Sequence, residues 1–529
     1  MSDQMEELKA RPYADWLPMG GGRSHPRDTP EAADYVVEFD GSDDPCHPRN
    51  WPTGRKALIA IIACLGSFVA CFDSAIFAAG AEEASQELHV SSEVIALGTS
   101  LFVLGFSFGP LFAPMSEMVG RRWPLLISMI GTSIFAIGCA TAKDIQTLLI
   151  CRFFSGVFGS SPLCVAPGVL ADLYNSTYRG VAVSLYALTV YGGPFLGPVI
   201  GAQLATSSLG WRWSLYLPAI LGFLNAILLI VPYKETFPAS ILVQKAIRLR
   251  KQTRNWAIHA EHERLEFDIY AMIGKYFTRP LRLLITEPIV LLISMYMSFI
   301  YGLVYAFLAA LPYTFEHTYN MDVRSSNLPF LALLLGVTLS VSFILSQQRG
   351  YAHKLQENNG KSVPEWRLPP VIIGGVLFPI GLFWFAWTAY SQDIHWMVPV
   401  VSCVLIGFGL LCIFLPCFNY LIDAYLPVAA SAVAANVMLR SAVAAAFPLF
   451  SRQLFANLGV QWAGTLLGCL ATVMVPIPIL FRMYEPQGLL QDHVSVIASS
   501  IRRLLWDTLK SGAMRSSHSQ ARDDPTNFM

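Results

Sequence analysis

The chain has 529 residues, of which 54% are hydrophobic and only 14% charged, with a mean hydropathy of +0.49. A soluble globular protein carries about 25% charged residues, so a water-soluble fold is excluded. Lys+Arg and Asp+Glu stand at 36 each with pI near 7.1, and no basic excess points to nucleic acid.

The charges are missing from runs of about 20 residues, the length that crosses roughly 30 Å of hydrocarbon as a helix. Residues 1–52 lack periodicity and are crowded with Pro, Gly, Asp and Arg, which predicts a disordered cytosolic N-terminal region. The start is polar and acidic, with no short apolar stretch before a small-residue cleavage site, so the first span is expected to act as the targeting signal. Apolar runs follow at 57–80, 94–115, 124–142, 147–170, 180–203 and 213–232. Residues 233–285, rich in Arg, Lys and Glu, interrupt the pattern and read as short amphipathic helices on the cytosolic membrane surface. Six more runs lie at 287–311, 327–347, 370–390, 396–419, 428–451 and 462–482. The expected architecture is an all-α membrane protein, with twelve transmembrane helices in two pseudo-symmetric six-helix bundles at 53–232 and 286–484. The tail, 485–529, holds one amphipathic stretch (VSVIASSIRRLLWDTL) suited to a membrane surface or, second, to a partner helix. Two halves joined by a charged loop is the layout of transporters built from repeats, with the substrate site between the halves.

Orientation follows from the Lys/Arg bias of the short loops. A cytosolic N-terminus puts Arg55, Lys56, Arg121, Arg122, Arg179, Arg349, Lys354, Lys361, Arg367 and Arg482 inside, together with the central loop's cluster. The other side receives Lys143, Arg212, Arg324 and Arg452, so both termini are expected in the cytosol. Nine of the ten cysteines fall within spans without paired CxxC spacing, which suits small apolar packing rather than disulfides or a metal site.

Several patterns mimic enzyme motifs. Gly105-Phe106-Ser107-Phe108-Gly109 fits G-x-S-x-G, but a nucleophile elbow needs a strand–turn–helix setting and this one sits in a lipid-length helix. Gly360-Lys361-Ser362 resembles the end of a phosphate loop, yet Leu355 stands where that motif needs its first glycine. The sequon Asn175-Ser176-Thr177 falls on the cytosolic side and is expected to stay unmodified.

Three segments of the first half carry more than hydropathy. The run LGFSFGPLFAPMSEMVGRRWP ends in a short turn with Glu117, Gly120, Arg121 and Arg122. CRFFSGVFGSSP places Arg152 inside the fourth span, and YGGPFLGPVIGAQL sets Gly193, Gly197 and Gly201 at four-residue spacing with Pro194 and Pro198. Together these resemble the three signature motifs of the major facilitator superfamily: the loop between helices two and three, the fourth-helix motif, and the glycine–proline motif of helix five associated with antiporters. AASAVAANVMLRSAVAAAFPLFSRQLFANLGVQWAGTLLG, VPIPILF and ETFPASILVQKAIRLRK are similar to segments of fungal twelve-span drug:proton antiporters. The resemblance covers about residues 50–485. Glu117 departs from the superfamily's usual aspartate, and Ala444 stands where a glycine is expected, which would relax packing there.

The resemblance implies a transporter rather than an enzyme, exporting a drug, toxin or secondary metabolite by proton antiport, with no cofactor beyond the proton gradient. Proton-symport uptake is the rival within transport, and a non-transporting receptor or scaffold the rival outside it. A monomer in the plasma membrane is implied, the vacuolar membrane second, with lipid, protons and a small molecule as partners.

An acid in hydrocarbon is a functional candidate by default. Asp73 lies sixteen residues into the first span, about 24 Å along it. Arg152 lies about 8 Å below the matching end of the fourth span, so the depths agree. In the resembled fold both helices face the central cavity. The pair is then either a proton-sensitive couple, open to competition from a cationic substrate, or a static tie between two helices. Glu117, Gly120, Arg121 and Arg122, with Asp172 as partner, form an inner gate or mark topology alone. The glycine–proline row thins the fifth helix for close packing, and a dry contact there would block proton leak. Arg440 needs a partner in mid-membrane, either helix carbonyls, Asn436 one turn away, or substrate. Phe72, Tyr186, Tyr191, Tyr296 and Tyr301 are candidates to line a pocket for flat or cationic ligands.

Overall fold

A computed structural model describes residues 35–479, apart from 42, 265–277, 359–362 and 426–427. Eleven helices among the described residues are long and apolar enough to cross a membrane. In the first half these are α1 (Thr53–Glu87), α2 (Ser92–Val119), α3 (Arg122–Ala140), α4 (Ile145–Leu173), α5 (Tyr178–Ala205) and α6 (Trp213–Ile230). The second half has α7 (Pro288–Tyr319), α8 (Val323–Gln348), α9 (Pro369–Thr388), α10 (Met397–Ala424) and a 50-residue helix, Ala430–Ile479. That last helix breaks at Gly459, where φ 76° and ψ 159° lie in a region open in practice to glycine alone. The break divides it into α11 (430–458) and α12 (460–479), and the expected twelve crossings are present. Their turn is a single residue, Gly459, whereas apolar runs ending at 451 and restarting at 462 predict a connection of ten.

Isoleucines and leucines such as Ile134, Ile150, Ile220, Ile227, Leu335 and Leu470 are exposed on the outside of the bundle, where only hydrocarbon can satisfy them. α1 and α7 are the most enclosed helices. The two halves meet along α2 against α11 and α5 against α8. Ser107, centre of the G-x-S-x-G pattern, donates its hydroxyl to the Met438 carbonyl across that first seam (3.4 Å), while Gly105 lies against the α4 backbone.

The disorder expected over 1–52 does not extend to its described end. Val36 pairs in a parallel bridge with His259, and Val37 N–H donates to the His259 carbonyl at 2.9 Å. Val37 packs on Ala246, Leu249, Ile258 and Ala260, and Lys245 reaches the Glu38 carbonyl (3.1 Å) and Asp44 (3.9 Å). Three consecutive apolar residues, Tyr35-Val36-Val37, are too few to show a period in the sequence. Tyr35 and Val37 pack on apolar residues of the central-loop helix Pro238–Thr253. The C-terminal amphipathic stretch lies outside the described residues.

Candidate transport site

The Asp73–Arg152 pair forms as the matched depths require. Arg152 Nη1 donates to Asp73 Oδ1 at 2.9 Å and to the Asp73 carbonyl at 3.0 Å, while Nε donates to the Gly98 carbonyl at 3.2 Å. Ser155 Oγ donates to the other carboxylate oxygen at 3.1 Å. The guanidinium stacks between Phe77 (5.0 Å) and Phe102 (4.7 Å). Asp73 is 0% and Arg152 1% exposed, and these partners all belong to α1, α2 or α4. The pair is thus inside the first bundle rather than on the cavity between halves, and a cationic substrate has no open path to the carboxylate. A contact to the other half is made by the next residue: Ser74 Oγ lies 3.0 Å from Tyr305 Oη of α7.

The glycine row explains why α1 holds that register. A Cβ at Gly193 would stand 2.7 Å from Cys71 Cβ and from the Phe72 backbone nitrogen, and one at Gly197 2.9 Å from the Ile76 nitrogen. At Gly201 it would run into the Ile76 carbonyl oxygen. All three glycines therefore face the same stretch of α1, residues 71–79, whose far side carries Asp73. Pro194 and Pro198 sit inside the helix between them. Pressing α5 onto α1 at backbone distance leaves no room for water between these two helices over that stretch.

At the Lys/Arg-rich face, Arg121 Nε donates to Asp172 Oδ2 at 3.0 Å, Nη1 to Ser116 Oγ at 2.7 Å, and the guanidinium lies 4.9 Å over the Phe237 ring. Gly120 turns the chain at φ +99°, the left-handed region that favours glycine. Arg122 caps the end of α6, donating to the carbonyls of Leu229 (3.1 Å) and Ile230 (2.6 Å), where a cation also complements the helix dipole. Glu117, expected to share this lock, is exposed and pairs with no described residue. Its place is taken by Glu235, which sequence reading missed. Oε1 accepts the backbone N–H groups of Arg121 (2.8 Å), Thr236 (2.9 Å) and Phe237 (2.9 Å), and Oε2 that of Arg122 (3.1 Å).

Midway through the molecule the halves converge on an aromatic group. Tyr191 of α5 meets Phe414 of α10 edge to face (5.3 Å), and Phe414 lies 6.3 Å from Tyr301 of α7. Tyr301 Oη is 3.3 Å from Tyr305 Oη. Arg440 of α11 stacks over Tyr301 at 4.9 Å and Phe414 at 5.0 Å. Arg440 is 6% exposed, its Nε has no hydrogen-bond partner, and it makes no ion pair with a described residue. Neither Asn436 nor a helix carbonyl holds it: Asn436 Nδ2 instead points to Met297 Sδ (3.3 Å).

The other aromatic candidates separate. Tyr186 donates its hydroxyl to the Leu163 carbonyl (2.9 Å), the oxygen that Pro167, lacking an N–H, leaves without its helical donor. Phe72 stacks on Phe68 (5.6 Å). Tyr296 turns away from the interface, to Gly375 of α9, whose Cβ would lie 3.3 Å from its hydroxyl. Phe414 and Tyr305 complete the central group, and neither stands out in a sequence with 33 Phe and 20 Tyr. Above Tyr305 a cavity of about 350 Å³ opens at the face opposite the Lys/Arg-rich one, lined by Glu82, Glu83, Glu93, Glu316, His317 and Arg452 among others.

The sequence pattern of the Major Facilitator Superfamily matches residues 63–448. The multidrug transporter FLU1 of Candida albicans is 44% identical over 474 residues, 88% of this chain and 77% of that protein. The multidrug transporter TPO1_2 of Candida glabrata is 44% identical over 476 residues, 90% of this chain and 82% of its own. The citrinin biosynthesis cluster transporter mrr1 of Monascus ruber is 43% identical over 459 residues, covering 86% and 91%. Among solved structures the proton:xylose symporter XylE aligns over 82% of this chain and 97% of its own with TM-score 0.59, at 17% identity, a likeness of fold. On that pattern, these identities and the twelve-crossing architecture, the chain belongs to the major facilitator superfamily of membrane transporters.

Proposed function

We propose that the chain exports small organic molecules of the drug, toxin or secondary-metabolite kind in exchange for protons, by alternating access of its two halves. The observation that carries this is the convergence of both halves on one buried group, Tyr191 on Phe414 and Ser74 on Tyr305, with Arg440 beside it. A site shared by two halves opens to opposite sides as they rock. The names of the relatives supply the drug class. The Lys/Arg-rich face is cytosolic, the membrane is the plasma membrane, and the protein works as a monomer without a cofactor and without chemistry on its cargo.

Asp73 carries the proton. Ionised, it balances Arg152. Protonated, it leaves Arg152 held by the carbonyls of Asp73 and Gly98, and the change is felt one residue on, at Ser74 and Tyr305. The test is uptake of a compound panel (lipophilic cations, polyamines and neutral toxins) into inverted vesicles with an imposed pH gradient, wild type against Asp73→Asn. Concentration of a compound by wild type and not by the variant supports export and coupling together. Equal transport by both moves the proton elsewhere, and no gradient-dependent transport at all defeats the exporter reading.

A further inference from the structure

Arg440 is the charged group of the central site, and its surroundings are incomplete in a consistent way. Its faces are covered by Tyr301 and Phe414, but its Nε donor has no acceptor. A buried guanidinium without a counter-charge is costly, and the usual remedy is a carboxylate held in two parallel hydrogen bonds. No described acid supplies one: Asp73 is occupied by Arg152 inside the first bundle, and Asp423 by Arg367 at the Lys/Arg-rich face. Tyr191 Oη, one ring away across Phe414, is a second buried donor with no partner. On the next residue of α11, Ser441 Oγ is a third. Tyr186, Tyr191 and Cys71 all lie within electrostatic reach of the guanidinium. Asn436 Oδ1, one turn before Arg440, is an unpartnered acceptor, and the two hydroxyls can donate or accept, but the guanidinium can only donate and carries the charge, so the site favours an anionic acceptor over a cation.

We infer that the cargo is an aromatic acid, a flat molecule whose carboxylate or phenolate oxygen sits on Arg440 while its ring lies among Tyr191, Tyr301 and Phe414. This rests on the exporter reading above and narrows its substrate class. The cavity beyond Tyr305 is lined differently from the central group. Glu82, Glu83, Glu93 and Glu316 face it against Arg452 and His317, and Glu82 already holds Arg452 at 3.2 Å. The negative lining disfavours re-entry of an anion from that face, and equally makes the vestibule a place where an anion does not linger, so the push outward comes from the rocking of the halves and not from this charge. A cation would be repelled by Arg440 at the site itself.

Equilibrium binding to purified protein in detergent at pH 7 tests this without any gradient. The probes are 2-naphthoate, its neutral isostere 2-naphthamide and the cation 2-naphthylmethylammonium. Wild type should bind naphthoate more tightly than the amide by about 10- to 100-fold, the worth of one charge-assisted pair. Arg440→Gln should erase that preference, and Arg440→Lys, which keeps a charge but loses the planar fork, should keep part of it. Equal binding of acid and amide by wild type, preference for the cation, no binding of naphthoate, or a preference that survives in a folded Arg440→Gln would each overturn the inference. The wild-type comparison stands even if a variant does not fold. Gradient-driven transport of the same probes separates the two readings. Export of the amide or cation alone keeps the exporter and removes the acid. Arg440-dependent naphthoate binding with no driven transport keeps the acid site and removes the exporter.

Discussion

Alanine placed along α5 should reveal how tightly this helix is pressed on α1, because adjacent glycines face different amounts of space. A Cβ at Gly192 meets nothing nearer than 3.9 Å, at Leu334 and Phe68. Ala is worth up to about 1 kcal/mol over Gly inside a helix, so Gly192→Ala should be neutral or mildly stabilising. A Cβ at Gly197 falls 2.9 Å from the Ile76 nitrogen and 3.2 Å from Ala75. Against an ordinary contact of about 3.5 Å, α1 must withdraw by roughly half an ångström there. Gly193→Ala is worse, since the Phe72 nitrogen at 2.7 Å and the Cys71 carbonyl carbon at 2.8 Å are backbone and cannot swing aside. The withdrawal needed is about 0.8 Å, and overpacking of that kind costs about 1–3 kcal/mol, partly offset by helix propensity. Thermal unfolding in detergent should rank Gly192→Ala at or above wild type, then Gly197→Ala, then Gly193→Ala. Reconstituted Gly193→Ala should also pass protons without substrate, read by a pH dye inside the vesicle, because α1 carries Asp73 on its other side. A Gly193→Ala protein as stable and as proton-tight as Gly192→Ala would refute the close contact and the role given to it.

Three further outcomes follow from single contacts. Tyr186→Phe removes the donor to the Leu163 carbonyl opposite Pro167, which should lower stability by about 1–2 kcal/mol while leaving the order of substrate preference unchanged in vesicle transport. Glu235→Ala strips the acceptor from four backbone N–H groups, so amide exchange across residues 118–123 should quicken by about tenfold or more, with substrate affinity unmoved. Asp44 has a carboxyl that burial pushes up, but the N–H groups of Asp40 and Cys46 and the Lys245 charge outweigh this and hold it below its ordinary range. A depressed acid contributes stability that is present above its unfolded pKa, about 3.9, and lost as pH falls through the lower folded value. Proteolysis of segment 35–50 should therefore be slow at neutral pH and rise below about pH 4. In Asp44→Asn it should lose that pH dependence.

Much of the architecture was legible in the chain because hydrocarbon imposes a local rule. A span must be apolar over its own length, so the number of crossings and the charged interruption can be read without knowing what touches what. Asp73 and Arg152 were found as a pair for the same reason, since helices that cross one slab share a depth scale. The four-residue glycine spacing was also informative, because it marks one helix face whatever lies against it.

Rotation and distant partners were another matter. Depth does not say which way a side chain points, and so Tyr296 and Tyr301, five residues apart on α7, read alike although one faces α9 and the other Arg440. Asp73 matched Arg152 in height, yet only the packing of α1 among α2 and α4 showed the pair closed off from the interface. Glu117 carried the expected motif position, while the working carboxylate, Glu235, comes from 118 residues further along the chain. Phe414 was one of 33 phenylalanines until α10 brought it between Tyr191 and Arg440. The sequence by itself determined how often the chain crosses the membrane and where the costly charges sit along each crossing, since those depend on transfer from water to hydrocarbon residue by residue. Only the tertiary structure decided which of those charges are already balanced and which one, Arg440, is left facing the aromatic centre, since that depends on helix faces brought together from both halves.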